Sequence, residues 1–429
     1  MTNTPSADQA EKVVGVEVGE RRLSIPGMTE EGEKLASENV AAEHTHGGLG
    51  ESEPKTTSAG SRADRITSFE VTDFPEPAGR EEEWRFTPIK KLANVLSDVR
   101  QQGERVDYQV SASDPVVIGS LKPDAAPRHT VIQPADRAAV VGVSNVDEAL
   151  HVAVPAEAEI DEPIRIGITG EQASARANSH IVLEAGSHAK AVIVLEHRGA
   201  ADFNGNVEVL VGEGADVTVI SLQHWAEDAV HVGQHDAVVG KDATYKHIAV
   251  TLGGSVVRLN ANVRYAAEGA EAELYGLYFA DAGQHLEHRS FVDHNSPRNS
   301  SNVLYKGALQ GQSARTVWVG DVLIRKAAEG TDSYEKNQNL ILTDGARADS
   351  VPNLEIETGV IDGAGHASST GRFDENHLFY LMARGIPEKE ARQLVVRGFL
   401  NEIVQQIPVA SIEEALQESL DQELQISGF

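Results

Sequence analysis

The chain contains no cysteine. That removes disulfides, thiolate metal sites and a cysteine nucleophile from its own chemistry, and any sulfur ligand has to come from another subunit. Aromatic residues are few, 5% of 429 positions, against 38 glycines. That balance suits stacked thin β layers better than an aromatic-centred globule. Positive charge is scarce: 37 Lys and Arg against 66 Asp and Glu leave a net charge of −29. No Lys/Arg cluster is present to neutralise phosphates, which argues against a nucleic-acid or anionic-membrane surface. No apolar run approaches the roughly 18 residues of a membrane-spanning helix. The N-terminus lacks the basic-then-apolar pattern of a secretory signal, so the expected compartment is the cytoplasm. Walker, Gly-x-Ser-x-Gly and His-Glu-x-x-His motifs are missing, and a self-contained ATPase, α/β-hydrolase or zincin is unsupported.

What the chain does have is repetition. Residues 1–61 are polar and read as a disordered tail and linker, clearest at 47–61, with a short helix expected at 28–43. Residues 62–130 read as an N-terminal helical region. There Thr87-Pro88 looks like a helix start, followed by Ile89, Leu92, Leu96 and Val99 at helical spacing. Residues 131–371 read as a β core of short Val/Ile-rich runs between similar small-residue turns. Gly186, Gly214, Asp242 and Gly269 mark a repeat of 28, 28 and 27 residues. A helix-free repeat of that length predicts the coils of a parallel β-solenoid, favoured over an antiparallel sandwich. Gly269 to Gly311 and Gly311 to Gly345 are 42 and 34 residues, which predicts an inserted loop at 294–302. Residues 372–429 read as a helical subdomain. Asp374 is a candidate cap, Leu378, Phe379, Leu381 and Met382 an apolar side, and Gly385 a stop. Pro387 opens a second helix with Val396, Phe399, Leu400, Ile403 and Ile407 on one face. Ser411 with Glu414 reads as the capping box of a third. Such helices could cap the solenoid's end, form a subdomain, or dock a partner.

Chemistry-bearing residues are sparse. His285, Glu287 and His288, with His294 near, could hold iron or zinc. On a strand, however, 285 and 288 face opposite ways, and polar residues beside a mobile loop are the favoured reading. His366 lies in a run of Gly, Ala and Ser where strands give way to helices, and on its own reads as a turn histidine. Glu355 and Glu357 read as a charged solenoid face. Arg289 and Lys306 stay ambiguous.

Three segments together resemble a known family. In 304–359 these are Tyr305-Lys306-Gly307, the polar run before Gln338-Asn339-Leu340, and the Pro-x-Leu-Glu-Ile pattern ending at Ile356. In 365–392 they are a His-x-x-x-x-Gly junction at His366, a Phe-Tyr-Leu helix and an Arg-Gly-Ile turn. At 81–87 it is EEEWRFT. Over about 62–410 the chain resembles the SufB/SufD family of iron–sulfur cluster assembly proteins. The tryptophan motif and the missing cysteine fit its SufD-type members; where many of those carry Cys-x-His, this chain has Ala364-Gly365-His366. The resemblance implies a right-handed parallel β-helix flanked by helical regions, and a scaffold rather than an enzyme. It implies a complex with SufB and two copies of the SufC ATPase, with SufC docking on the C-terminal helices through candidates Phe379, Tyr380, Arg384, Arg392 and Arg397. It implies that His366 is a transient iron ligand for a nascent cluster completed by SufB, with a flavin possible on the complex. The alternatives are a SufB-like homodimeric scaffold and a β-helix carbohydrate-active enzyme. Against the latter stand the absent signal and the absence of paired Asp runs.

Overall fold

The computed structural model describes residues 15–18, 21–24, 61–100, 106–373 and 375–426. They fall in two compact units, Met1–Ser58 and Ala59–Phe429. In the first, β1 (Gly15–Val18) and β2 (Arg21–Ser24) form an antiparallel hairpin that the polar composition of this region does not announce. The helix expected at 28–43 lies outside the described residues.

In the second unit, β3 (Tyr108–Ser111) and β4 (Val117–Leu121) precede β5 (Ala149–Val154). Then come β6 (Ile164–Ala185) and β7 (Lys190–Val211), each 22 residues long. The first half of β7 pairs with β8 (Asp216–Trp225) and its second half with β9 (Val230–Val239). From there two parallel sheets grow side by side. One adds β10 (Thr244–Thr251), β12 (Glu271–Ala280), β14 (Ser300–Leu309), β16 (Thr331–Ile341) and β18 (Ile361–Arg372). The other adds β11 (Val256–Tyr265), β13 (His285–His294), β15 (Arg315–Ile324) and β17 (Arg347–Ile356). Each coil gives one strand to each sheet, and the apolar sides close on one another in a continuous interior that includes Ile193, Val219, Leu274, Tyr278, Trp318 and Ile324. Pairing within both sheets is parallel, so the solenoid expectation holds and the sandwich is excluded.

The turns explain the repeat and correct one reading of it. His188, Gly214, Asp242, Gly269, Arg298 and Gly330 all have positive φ and stack in one column. Backbone bonds run from coil to coil, as from Gly214 N–H to the Lys241 carbonyl at 2.8 Å and from Arg298 N–H to the Glu329 carbonyl at 2.8 Å. At Gly269 the φ of +80° favours glycine, and a Cβ there would also displace the end of the Asp242 side chain stacked on it. Gly254, Gly283, Ser313 and Gly345 form a second positive-φ column, each two residues before the strand it feeds in the other sheet. The 42-residue spacing from Gly269 to Gly311 arises from stepping between columns, whereas the 34 residues from Gly311 to Gly345 stay among the turns that feed one sheet. There is no inserted loop at 294–302: His294 closes β13, Arg298 is a turn of the first column, and Ser300 opens β14.

Both flanks of the solenoid are clad. On the β9/β11 side, Trp84, Leu92, Val95 and Leu96 pack on Val230, Val232 and Val256. The N-terminal region is less helical than its spacing suggests: α1 is only Ala93–Leu96, after a 3-10 turn at Ile89–Leu92. Thr87 does not cap it; its hydroxyl donates to Glu287 Oε2 at 2.7 Å, and Val99 is exposed. An unexpected helix, α2 (Arg137–Ser144), is capped by the Asp136 side chain. On the opposite flank lie α3 (Glu375–Met382), α4 (Glu388–Val404) and α5 (Ala410–Ile426). Val396, Leu400, Ile403 and Ile407 are buried as their spacing predicts, against an outer row that includes Leu222, Leu277 and Phe279. Leu378 is buried, but Phe379 and Met382 face outward. Ser411 sits inside α5 rather than at its cap, its hydroxyl 3.4 Å from Arg165 Nη2. Asp374 lies outside the described residues. Because α4 rests on β12 and β14, the helices cover a side and not the end. The end is left to β17 and β18, each paired along one edge only among the described residues.

Candidate functional site

His366 lies on β18, in register with Glu335 of β16. Side chains alternate along a strand, and paired residues of parallel strands share a side. Ala364, His366, Ser368 and Thr370 therefore continue the inward rows of Ser333, Glu335, Asn337 and Asn339, and Ala364 packs on the interior. The expected turn is thus a strand, and His366 points inward on the last coil, where no further coil among the described residues covers it. Its side chain is 44% exposed.

One rung below, the Glu335 side chain is fully buried, with Oε1 3.8 Å from His366 Nδ1. Neither carboxyl oxygen has a hydrogen-bond partner. Its space comes from Gly320 across the interior, where a Cβ would overlap Glu335 Oε2. Burial pushes the Glu335 carboxyl up to about 8; the neighbouring Asp321 carboxylate adds to the push, and the Asn353 amide, outside hydrogen-bonding geometry, offsets only part of it. A buried, unpartnered carboxyl group is costly, and this one sits beside the most exposed imidazole edge of the interior row. Nothing in the motif spacing singles out Glu335. The alternation of 331–339 (TDSYEKNQN) holds the signal, once the inward parity of the strand is known.

The histidine trio separates. His285 Nε2 lies 3.1 Å from Glu287 Oε2, on the outer side of β13 under the N-terminal region. His288 faces inward, stacked on Tyr278 with centroids 5.1 Å apart. His294 stacks on Tyr265 and bonds to the Ser301 hydroxyl at 2.9 Å. All three are buried in a strand, so neither a shared metal nor a mobile loop accounts for them. Among the described residues, no three His, Asp or Glu are grouped to hold a metal.

The motif 81–87 becomes a clamp. Trp84 lies 4.1 Å from the buried Arg258 guanidinium. Glu83 bridges Arg258 and Arg289, and Arg258 also meets Asp136 and Glu287. Arg289 is therefore structural. So is Lys306, which ties β14 to α4 through Glu402 and the Phe399 carbonyl. Glu355 accepts from the Ser61 hydroxyl and Arg62 N–H, holding the start of the N-terminal region on β17, and Glu357 accepts from Lys326 N–H. Of the five helix candidates, Phe379 (75% exposed) and Tyr380 (56% exposed) stand with Arg384, whose guanidinium lies 4.4 Å over the Tyr380 ring. Arg392 is engaged by Glu388 and Phe373, and Arg397 by Asp421 of α5.

Residues 167–399 match the family model described as SUF system FeS cluster assembly, SufBD core domain. The chain belongs to the SufBD family. An iron–sulfur cluster assembly SufBD family protein of Mycobacterium bovis is 46% identical over 375 residues, 86% of this chain and 94% of the relative. One from Mycobacterium leprae is 47% identical over 371 residues, 84% and 94% of the two chains. One from Synechocystis is 31% identical over 217 residues, about half of each. The SufBD core match begins in β6 and ends in α4. It takes in the growing sheets, Glu335, His366 and the α3 patch, and leaves most of the N-terminal cladding outside. No helix among the described residues is long and apolar enough to cross a membrane.

Proposed function

We propose that this SufBD-family chain is a non-catalytic, SufD-type scaffold subunit in which His366 meets iron or a nascent cluster brought as cargo. The carrying observation is the place of His366: a part-exposed imidazole turned inward on the last coil, at the end of the solenoid that no described strand covers. Imidazole binds iron and can exchange, which suits a scaffold that has to release its product. The chain's lack of cysteine leaves thiolate ligands to a second chain, read here as a SufB-type subunit meeting the β17/β18 end. The exposed α3 patch is read as the docking surface for a SufC-type ATPase, two copies per complex. The test is His366→Ala in the reconstituted three-component complex. Cluster assembly is expected to fall by about tenfold or more while size measurements show the complex intact. Unchanged assembly overturns the ligand role, and failure of the wild-type chain to join either partner overturns the subunit reading.

A further inference from the structure

The interior under His366 contains a group that packing does not explain. The Glu335 side chain is fully buried, and both its oxygens lack hydrogen-bond partners. Elsewhere in the solenoid a buried carboxylate is heavily bonded. Glu208 takes His180 and the amides of His129, Val131 and Ile132, and Glu287 takes Arg258, Arg289, His285 and Thr87. Trp318, which walls the same space beside Gly320, also has an unpartnered indole N–H. A Cβ at Gly320 would meet both the Trp318 ring and Glu335 Oε2, so glycine there leaves room for the indole and the carboxyl together.

We propose that Glu335 is the second protein donor of a divalent-cation site at the open end of the solenoid, with His366 the first. The proposal rests on the cargo reading of His366 and adds what stands behind it. The two donor atoms are 3.8 Å apart. A cation about 2.1 Å from each donor spans up to about 4.2 Å between them, so one ion can bridge the pair with the backbone in place. Imidazole with carboxylate is a donor set for ferrous iron, zinc or cobalt rather than for magnesium or copper(I). His366, the exposed partner, receives the ion first; Glu335 retains it and occupies the sites a single imidazole leaves open. The remaining positions stay free for ligands from another chain.

The experiment uses the full-length chain with cobalt(II) as probe, followed by its visible absorption, on wild type, Glu335→Gln and His366→Ala. Glu335→Gln keeps the shape and a neutral amide, so the fold is expected to survive, as thermal melting would show. The expected result is cobalt uptake by wild type, affinity lowered about tenfold or more in each variant, and a changed absorption band in Glu335→Gln. Wild-type affinity and band in Glu335→Gln, with loss in His366→Ala, overturns the Glu335 assignment and leaves the His366 reading standing. No uptake by wild type overturns the site. Loss in Glu335→Gln with none in His366→Ala overturns the pairing and also sinks the His366 reading.

Discussion

Tyr278 and Gly307 share one slot in the interior, and Tyr305 and Gly276 share the next. The pairs face each other across β12 and β14, each ring lying where its partner has no side chain; a Cβ on Gly307 would overlap the Tyr278 ring, and one on Gly276 the Tyr305 ring. Gly307→Ala is therefore expected to cost about 1–3 kcal/mol by overpacking, read as a lower denaturation midpoint, and an unchanged midpoint would refute the slot. Single residues were legible in the sequence where they interrupt a pattern. His366 stood out among small residues, and Tyr305-Lys306-Gly307 stood out as a motif. Their meaning was not, because it depends on register: Gly307 matters for the ring across from it, and Glu335 for the imidazole one coil away.

At the scale of elements, the strand-and-turn repeat was readable because stacking forces like residues into like places. Spacing alone does not separate two turn columns that look alike locally and differ only in the sheet they feed. The C-terminal helices were readable from their apolar spacing, except on α3. A pattern of Leu378, Phe379, Leu381 and Met382 cannot say which apolar residue a sheet will cover, and here it covers Leu378 and leaves Phe379 out. That exposed face is testable without disturbing the fold. Truncation at 374 would also strip the cover from Leu222, Leu277 and Phe279, so loss of partner binding there would prove little. Phe379→Asp and Tyr380→Asp leave that cover in place, and are expected to abolish capture of a SufC-type ATPase while melting as wild type does. Retained capture would move the docking surface elsewhere.

At the scale of the molecule, buried histidines shape the response to mild acid. The chain has 16, and many bridge the two sheets inside, as His235 does to His247 at 3.1 Å. Burial lowers His197 and His247 to about 4 and His288 and His294 to about 3, with His231 and His235 also well below the usual range. Below about pH 6.5 an unfolded chain takes up protons that these folded imidazoles refuse. Their contribution is complete above that pH and is lost as pH falls toward 4, by about 1.4 kcal/mol per pH unit for each histidine. His294→Asn should make unfolding free energy less steep between pH 6 and pH 4 by roughly that amount, and an unaltered slope would count against the mechanism. None of this was legible from composition, because a histidine's burial depends on parity within its strand. The solenoid's last coil carries one more consequence. Its two outer edges are unequal: β17 contains Pro352, which offers no N–H, whereas β18 has no proline along Ile361–Arg372. A strand arriving from another chain meets an interrupted ladder on one side and a continuous one on the other, and on the continuous side His366 is already part of the rung it would join.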